Sequence, residues 1–294
     1  MEIRLLKYFL AVTKAGSISK AAETLHLTQP TLSRQLKNLE EQLNTTLFIR
    51  GNKNITLTND GVLLHKRAEE ILMLVEKTEK DFLSNNDIIS GDIYIGCGET
   101  DAMRIIARII KKLQSDYPHV KVHLFSGNAD DITEKLDEGL LDFCVLIEPA
   151  DIRKYDFIQL PIKDQWGLLM HNNSKLASKD VITSSDLLNI TLLTSRQTLV
   201  SNQISGWFGS DFEKLNIVAT YNLIYNASLM VEEGLGSALC LNKLINTTGN
   251  SNLCFRPLSP KLDCCLDIVW KKNHIFSSAA LNFLKRLKEE VIEV

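Results

Sequence analysis

The run from Ser17 to Gly61, opening SISKAAETLHLTQPTLSRQLKNLEEQL and closing LFIRGNKNITLTNDG, constrains the fold of this chain more than any other stretch. Upstream of it, Leu6, Phe9, Leu10 and Thr13 recur at helical spacing and the pattern stops at the Ala15-Gly16 corner, which predicts a first helix. Ser17 stands where an N-cap would open a second, short helix. In that helix Ala21 and Ala22 leave room for a close helix crossing and Leu25 supplies an apolar anchor. Thr28 is a suitable N-cap for a third helix, and Pro30 falls in its first turn, where a missing amide hydrogen costs nothing. Leu32, Leu36, Leu39 and Leu43 then form one apolar stripe. At about 100° per residue Pro30, Arg34 and Lys37 emerge on the opposite side.

This is the grammar of a helix-turn-helix, whose second helix enters a groove of duplex DNA. The exposed face carries suitable chemistry. Gln29 can pair bidentately with adenine, Arg34 with guanine or a phosphate, and Pro30 and Thr31 can touch a thymine methyl. Ser33 and Lys37 suit contacts to the sugar-phosphate backbone, and Ser17 and Thr28 complete the candidate set at the two helix starts. The same residues also fit the solvated face of an ordinary amphipathic helix, an alternative that the surrounding motif disfavours. Beyond the third helix, Phe48, Ile49 and Ile55 to Leu57 alternate as two short strands around Gly51-Asn52-Lys53-Asn54. They predict a wing on which Arg50 and Lys53 would meet phosphates.

Ser17, Ala21-Ala22, Leu25, Gln29-Pro30, Ser33, Leu39-Glu40, Leu47-Phe48, Arg50, Leu57-Thr58 and Gly61 together resemble a LysR-type transcriptional regulator over about 60 residues. One departure is Asn44, where that family usually has glycine. Asparagine is the next-best residue for a left-handed helix end, so the motif is expected to survive. Glu40 is expected to hold the fold rather than touch DNA. The resemblance implies a bacterial, ligand-responsive regulator that binds a double-stranded operator, and it favours a homotetramer over a homodimer.

Composition sets the remaining bounds. The 294 residues are 45% hydrophobic, enough for two or three cores, and no apolar run approaches the length that spans a bilayer. No basic-then-apolar leader opens the sequence, so a cytoplasmic location is expected and no membrane partner. The net charge is -3, yet the first 60 residues hold eight Lys/Arg against five Asp/Glu. That modest basic excess predicts weak binding by one module, with oligomerisation adding strength. The six cysteines form no CxxC pair and read as reduced core residues, with a thiol switch as the less favoured alternative; neither a metal nor a cofactor is expected. Gly96-Cys97-Gly98 and Gly234-Leu235-Gly236 lack the third glycine of a dinucleotide fingerprint, having Asp101 and Leu239 there. GxSxG, HExxH and GxxxxGK[ST] are absent, so no catalytic residue and no enzyme activity is expected.

The expected fold is α+β overall. Residues 1–58 form the winged helix-turn-helix and residues 59–87 a linker helix, capped by Thr58 with Asp60 near its positive end. Leu64, Ala68, Ile71, Val75, Thr78 and Phe82 on that helix make a heptad-like seam expected to pair with a second subunit, with packing on the helix's own domain as the less favoured alternative. Residues 88–294 alternate strand and helix patterns and predict a two-lobed α/β domain. By the resemblance it is similar to type 2 periplasmic binding proteins, with lobe 1 at about 91–161 and 265–294 and lobe 2 at about 162–264. Ligands of such sheets bind beyond the carboxyl ends of strands. The candidate effector residues are therefore Glu99, Thr100, Asp101, Ser126, Gly127, Glu148, Thr194, Ser195, Arg196 and Asn226, although each would also serve as a cap or loop residue. Arg196 with the acidic residues would accommodate a zwitterion. The rival to effector control is a constitutive DNA-binding oligomer.

Overall fold

The computed structural model describes residues 1–50, 55–83, 89–196 and 202–292, with backbone alone at 50, 80–83 and 202–203. Lys53, a predicted wing contact, lies outside the described residues, as do the side chains of Arg50 and Phe82. Contacts divide the chain into two compact units, Met1–Leu83 and Ser84–Val294.

The first unit opens with helices α1 (Ile3–Ala15), α2 (Ile18–Thr24) and α3 (Gln29–Leu43). Gly16 ends α1 at φ 63, and its carbonyl accepts from the Ile55 N–H at 3.2 Å, tying the wing to the α1–α2 corner. Ser17 occupies the N-cap position of α2, but its side chain makes no capping hydrogen bond. Thr28 does cap α3, accepting from the Thr31 N–H at 3.4 Å. Asn44 closes that helix in the left-handed region at φ 51, as expected for the residue replacing glycine. Leu32, Leu36 and Leu39 are buried with Phe9, Val12, Ala21 and Ala22 in one core.

Strands β1 (Phe48–Arg50) and β2 (Ile55–Leu57) pair antiparallel as the wing. Helix α4 (Asn59–Leu83) follows, with the Thr58 hydroxyl accepting from the Gly61 N–H at 3.0 Å. A Cβ at Gly61 would collide with the carbonyl oxygen of Leu47, so this crossing requires glycine. The predicted inter-subunit seam needs correction here. Ala68 is fully buried in the first unit's own core and so has no face left for a second subunit, and half-buried Leu64 and Leu72 pack against that core. Their side of α4 is covered by the unit itself. Ile71 is exposed, as are Leu63 and Leu74.

The second unit holds two sheets. The first is built from β3 (Gly91–Cys97), β4 (Val120–Ser126), β5 (Phe143–Ile147), β6 (Tyr155–Gln159) and the late strand β13 (Leu266–Lys271), in the order β4-β3-β5-β13-β6. β3 runs parallel to β4 and β5, while β13 is antiparallel to its neighbours β5 and β6. Helices α5 (Met103–Asp116) and α10 (Ser278–Ile292) cover one face, and α6 (Ala129–Asp137) lies on the other. Apolar residues of α5 recur at Ile105, Ile106, Ile109 and Leu113, all buried against the sheet.

The chain then crosses to the second sheet, with β7 (Asp164–His171), β8 (Thr191–Ser195), β9 (Asn216–Tyr221), β10 (Ser237–Leu241) and β11 (Leu253–Pro257) in the order β11-β7-β10-β8-β9, and β12 (Asp263–Cys264) beside β7. β8, β9 and β10 are parallel; β7 runs against β10. Helices α7 (Ser184–Leu187), α8 (Asn202–Phe208) and α9 (Ile224–Glu232) complete this lobe. Between Cys264 and Leu266 the chain returns to the first sheet, so the first lobe is built from two separate segments of the backbone and the second from one.

Candidate functional site

Two surfaces carry chemistry. On α3, Thr28, Gln29, Pro30, Thr31, Arg34 and Lys37 are exposed while Leu32, Leu36 and Leu39 of the leucine stripe are buried and Leu43, its last member, is exposed; Ser33 is half-buried on α3, as is Ser17 at the start of α2. Fifteen residues make α3 about 22 Å long, and its polar N-terminal half is an exposed rod of the width a major groove admits. The Thr28 and Thr31 hydroxyls bond each other at 2.8 Å. Lys37 makes only an exposed pair with Glu41 at 3.6 Å, which leaves its ammonium available to a phosphate. Behind α3, Glu40 stays inside the protein: Oε1 accepts from the backbone N–H of Leu47 at 2.8 Å and of Phe48 at 3.3 Å. It fixes the strand that follows the helix.

The second surface is a cleft of about 720 Å³, counted with its open mouth, between the two lobes of the second unit. Four predicted residues line it: Glu99, Gly127, Glu148 and Ser195. Trp166, Tyr221, Asn222, Ile224, Asn128 and Cys240 also form its wall. The other candidates are placed elsewhere, each for a physical reason. Thr100 is buried, its hydroxyl donating to Asp164 at 2.5 Å and accepting from the Ala102 N–H at 3.0 Å. Asp101 is held by Arg104 at 2.6 Å and Lys243 at 3.5 Å. Thr194 is buried next to Ser195, and strand alternation sends the two to opposite faces. Ser126, Arg196 and Asn226 are exposed and are not among the residues lining the cleft. Without Arg196, a carboxylate at the wall would meet neutral donors and no cationic side chain among the described lining residues.

Residues 99–101 form a strap between the lobes. They follow β3 of the first sheet, yet the Glu99 carboxylate accepts from the backbone N–H of Ile224 at the start of α9, Thr100 reaches Asp164 on β7, and Asp101 pairs with Lys243. Burial raises the Glu99 carboxyl above its usual range, partly offset by the Ile224 N–H. Asp164 is raised by burial too, with the Thr100 hydroxyl opposing. Among the cysteines, Cys97, Cys144, Cys240, Cys254 and Cys264 are buried and Cys265 half-buried, all as free thiols. Burial pushes Cys240 and Cys264 up to about 12, the reverse of a reactive thiolate. Among the described residues no group of three His, Cys, Asp or Glu could hold a metal ion, and no helix is long and apolar enough to cross a membrane.

A winged helix-turn-helix unit followed in the chain by a two-lobed unit with a central cleft defines a class: DNA-binding regulators that carry a binding-protein-like domain. The comparisons agree. The model described as bacterial regulatory helix-turn-helix protein, lysR family, matches residues 3–62, and the LysR substrate binding domain matches residues 87–292. A probable RuBisCO transcriptional regulator of Porphyra purpurea is 30% identical over 243 residues, 81% of this chain and 76% of that protein. The HTH-type transcriptional regulator YtlI of Bacillus subtilis is 34% identical over 187 residues, covering 64% of this chain and 60% of YtlI. Full-length CbnR, crystallised with its target DNA, shares the fold with a TM-score of 0.78 at 19% identity, over 99% of this chain and all of CbnR. The chain belongs to the LysR family; it is a DNA-binding transcriptional regulator and not an enzyme.

Proposed function

We propose that a small-molecule effector in the interlobe cleft controls how this regulator binds its operator. The observation that carries this reading is the wall itself: residues of both lobes, Glu99, Gly127 and Glu148 from one and Trp166, Ser195 and Tyr221 from the other, share one cavity of a size suited to a small ligand. A ligand touching both walls has a different affinity for open and closed lobes, which is the requirement for shifting a conformational equilibrium.

In this reading the protein acts in the cytoplasm on double-stranded DNA. Gln29, Pro30, Thr31 and Arg34 read base edges, while Ser17, Thr28, Ser33, Lys37 and the wing residues Arg50 and Lys53 hold the backbone. One module with so small a basic excess binds weakly, so the active species is a homodimer or homotetramer placing two α3 helices on half-sites about one helical turn apart. The α4 face available to a second copy is Leu63, Ile71 and Leu74 with Thr78, which are exposed and recur at spacings of eight, three and four.

The test is to titrate a metabolite library against full-length protein, following thermal stability and operator affinity together. A compound that raises the melting temperature and changes operator affinity or the footprint establishes effector control. Compounds that never move either readout establish constitutive binding instead.

A further inference from the structure

The cleft carries charge of one sign. Its wall includes Glu99 and Glu148 and, among the described residues, no Lys, Arg or His. Residues 84–88, 197–201 and 293–294 contain none of these types either. A helix N-terminus is where a carboxylate ligand is ordinarily received, and here the N–H of Ile224 at the head of α9 is already taken by the carboxylate of Glu99. The protein has supplied that anion itself. Much of the remaining wall is apolar or aromatic, with Ile132, Leu241 and Leu244 beside Trp166 and Tyr221. The Tyr221 hydroxyl is committed to the Leu239 carbonyl at 2.6 Å; among the described residues the indole N–H of buried Trp166 has no hydrogen-bond partner, a donor open to a neutral acceptor on the ligand and not to its ammonium. Carboxylates set among aromatic faces attract a cation through both charge and ring quadrupole, and a cation would offset the burial cost that Glu99 bears.

We propose that the cleft takes an amine: a small cation with an apolar body of about one ring, its ammonium held by the wall carboxylates Glu99 and Glu148. The proposal rests on the effector reading above and assigns its ligand class. A carboxylate or a zwitterion would set its anion against two carboxylates and compete with Glu99 for the Ile224 N–H.

The test uses full-length protein and three series on one phenyl body, followed by calorimetry and thermal shift: benzylamine and phenethylamine, benzoate and phenylacetate, benzyl alcohol and phenethyl alcohol. The amines are expected to bind and raise the melting temperature, with the carboxylates weaker by about tenfold or more. Glu148→Gln is expected to weaken the amines by about tenfold, while Asp130→Asn, an exposed acid outside the wall, leaves their affinity unchanged. Should Glu148→Gln fail to fold, Glu99→Gln is read in its place. Carboxylates or alcohols binding as tightly as the amines would overturn the amine assignment and leave the cleft as a ligand site; carboxylate binding abolished by Arg196→Ala would move Arg196 into that site. Silence of all six probes at about 10 mM would overturn the assignment and count against the effector reading itself.

Discussion

Glu40 and Leu47 are seven residues apart, and the carboxylate of the first accepts the backbone N–H of the second at 2.8 Å, locking the end of α3 to the first strand of the wing. The same oxygen takes the Phe48 N–H at 3.3 Å, and Phe48 in turn packs against Phe9 at 5.2 Å between ring centroids. One side chain thereby sets the position of the wing relative to the recognition helix.

Glu40→Ala leaves two partly buried N–H groups unpaired and is expected to destabilise the first unit by about 1 to 3 kcal/mol. Urea unfolding of the full-length chain measures it. Because Glu40 acts through the wing and not through DNA, operator affinity should fall while its salt dependence stays the same. A changed salt slope would show direct participation at the phosphates.

Arg34→Ala and Lys37→Ala separate base reading from backbone holding. The first is expected to cost about 1 to 3 kcal/mol and to relax preference at one base pair; the second should weaken all sequences alike and reduce the salt slope by about one. Competition binding against single-base variants of the operator distinguishes them. Equal behaviour of the two variants would remove Arg34 from base readout.

Leu74→Asp places a charge on the exposed apolar face of α4. It is expected to shift the oligomer toward monomer in light scattering and to lower operator affinity by about tenfold or more through lost bivalency. Ala68→Asp, in contrast, should unfold the first unit, because Ala68 is fully buried in that unit's own core.

The α4 residues show how far periodicity reaches. Spacings of four and three correctly put Leu64, Ala68, Ile71 and Val75 on one side of the helix, but periodicity says which residues share a face and not what covers it. Leu64 and Ala68 pack into the core of the helix's own unit, while Ile71 is exposed. The recognition helix was far more legible, since its N-cap, its proline, its leucine stripe and Asn44 are all local signals, and each has its counterpart in α3. In the cleft, the expectation from strand carboxyl ends located Glu99, Gly127, Glu148 and Ser195 but missed Trp166. Trp166 sits near the start of β7, and β7 runs antiparallel to β10, so its beginning lies beside Leu241 at the end of β10. Strand direction within a sheet is a tertiary fact that no local pattern carries. Thr100 and Thr194, expected by the same rule, are buried and do not line the cavity.

Asp267 makes the stability of the second unit depend on pH. It is buried on β13, one carboxylate oxygen has no hydrogen-bond partner among the described residues, and burial together with the Glu148 charge pushes it up to about 6. Its folded value is above the unfolded one, near 3.9. Its contribution is therefore fully favourable below pH 4 and is lost as pH rises through 6. Asp267→Asn removes that loss: the melting temperature should rise at pH 7.5, with a much smaller gain at pH 4.5. An equal shift at both values would contradict the assignment.

The thiols give a check on the cleft and core together. With Cys97, Cys144, Cys240, Cys254 and Cys264 buried and raised by burial, iodoacetamide at pH 7.5 should label native protein at Cys265 first and the others only on unfolding. Peptide mass mapping reads the order.

The measurement that tests the account most directly is selection of bound sequences from a randomised duplex pool, with full-length protein and its Arg34→Ala variant at one stated salt concentration. The account predicts that the wild-type chain enriches two related half-sites about one helical turn apart, and that Arg34→Ala loses the preference at one position in each half-site. Recovery of the same unenriched pool by both proteins would contradict it.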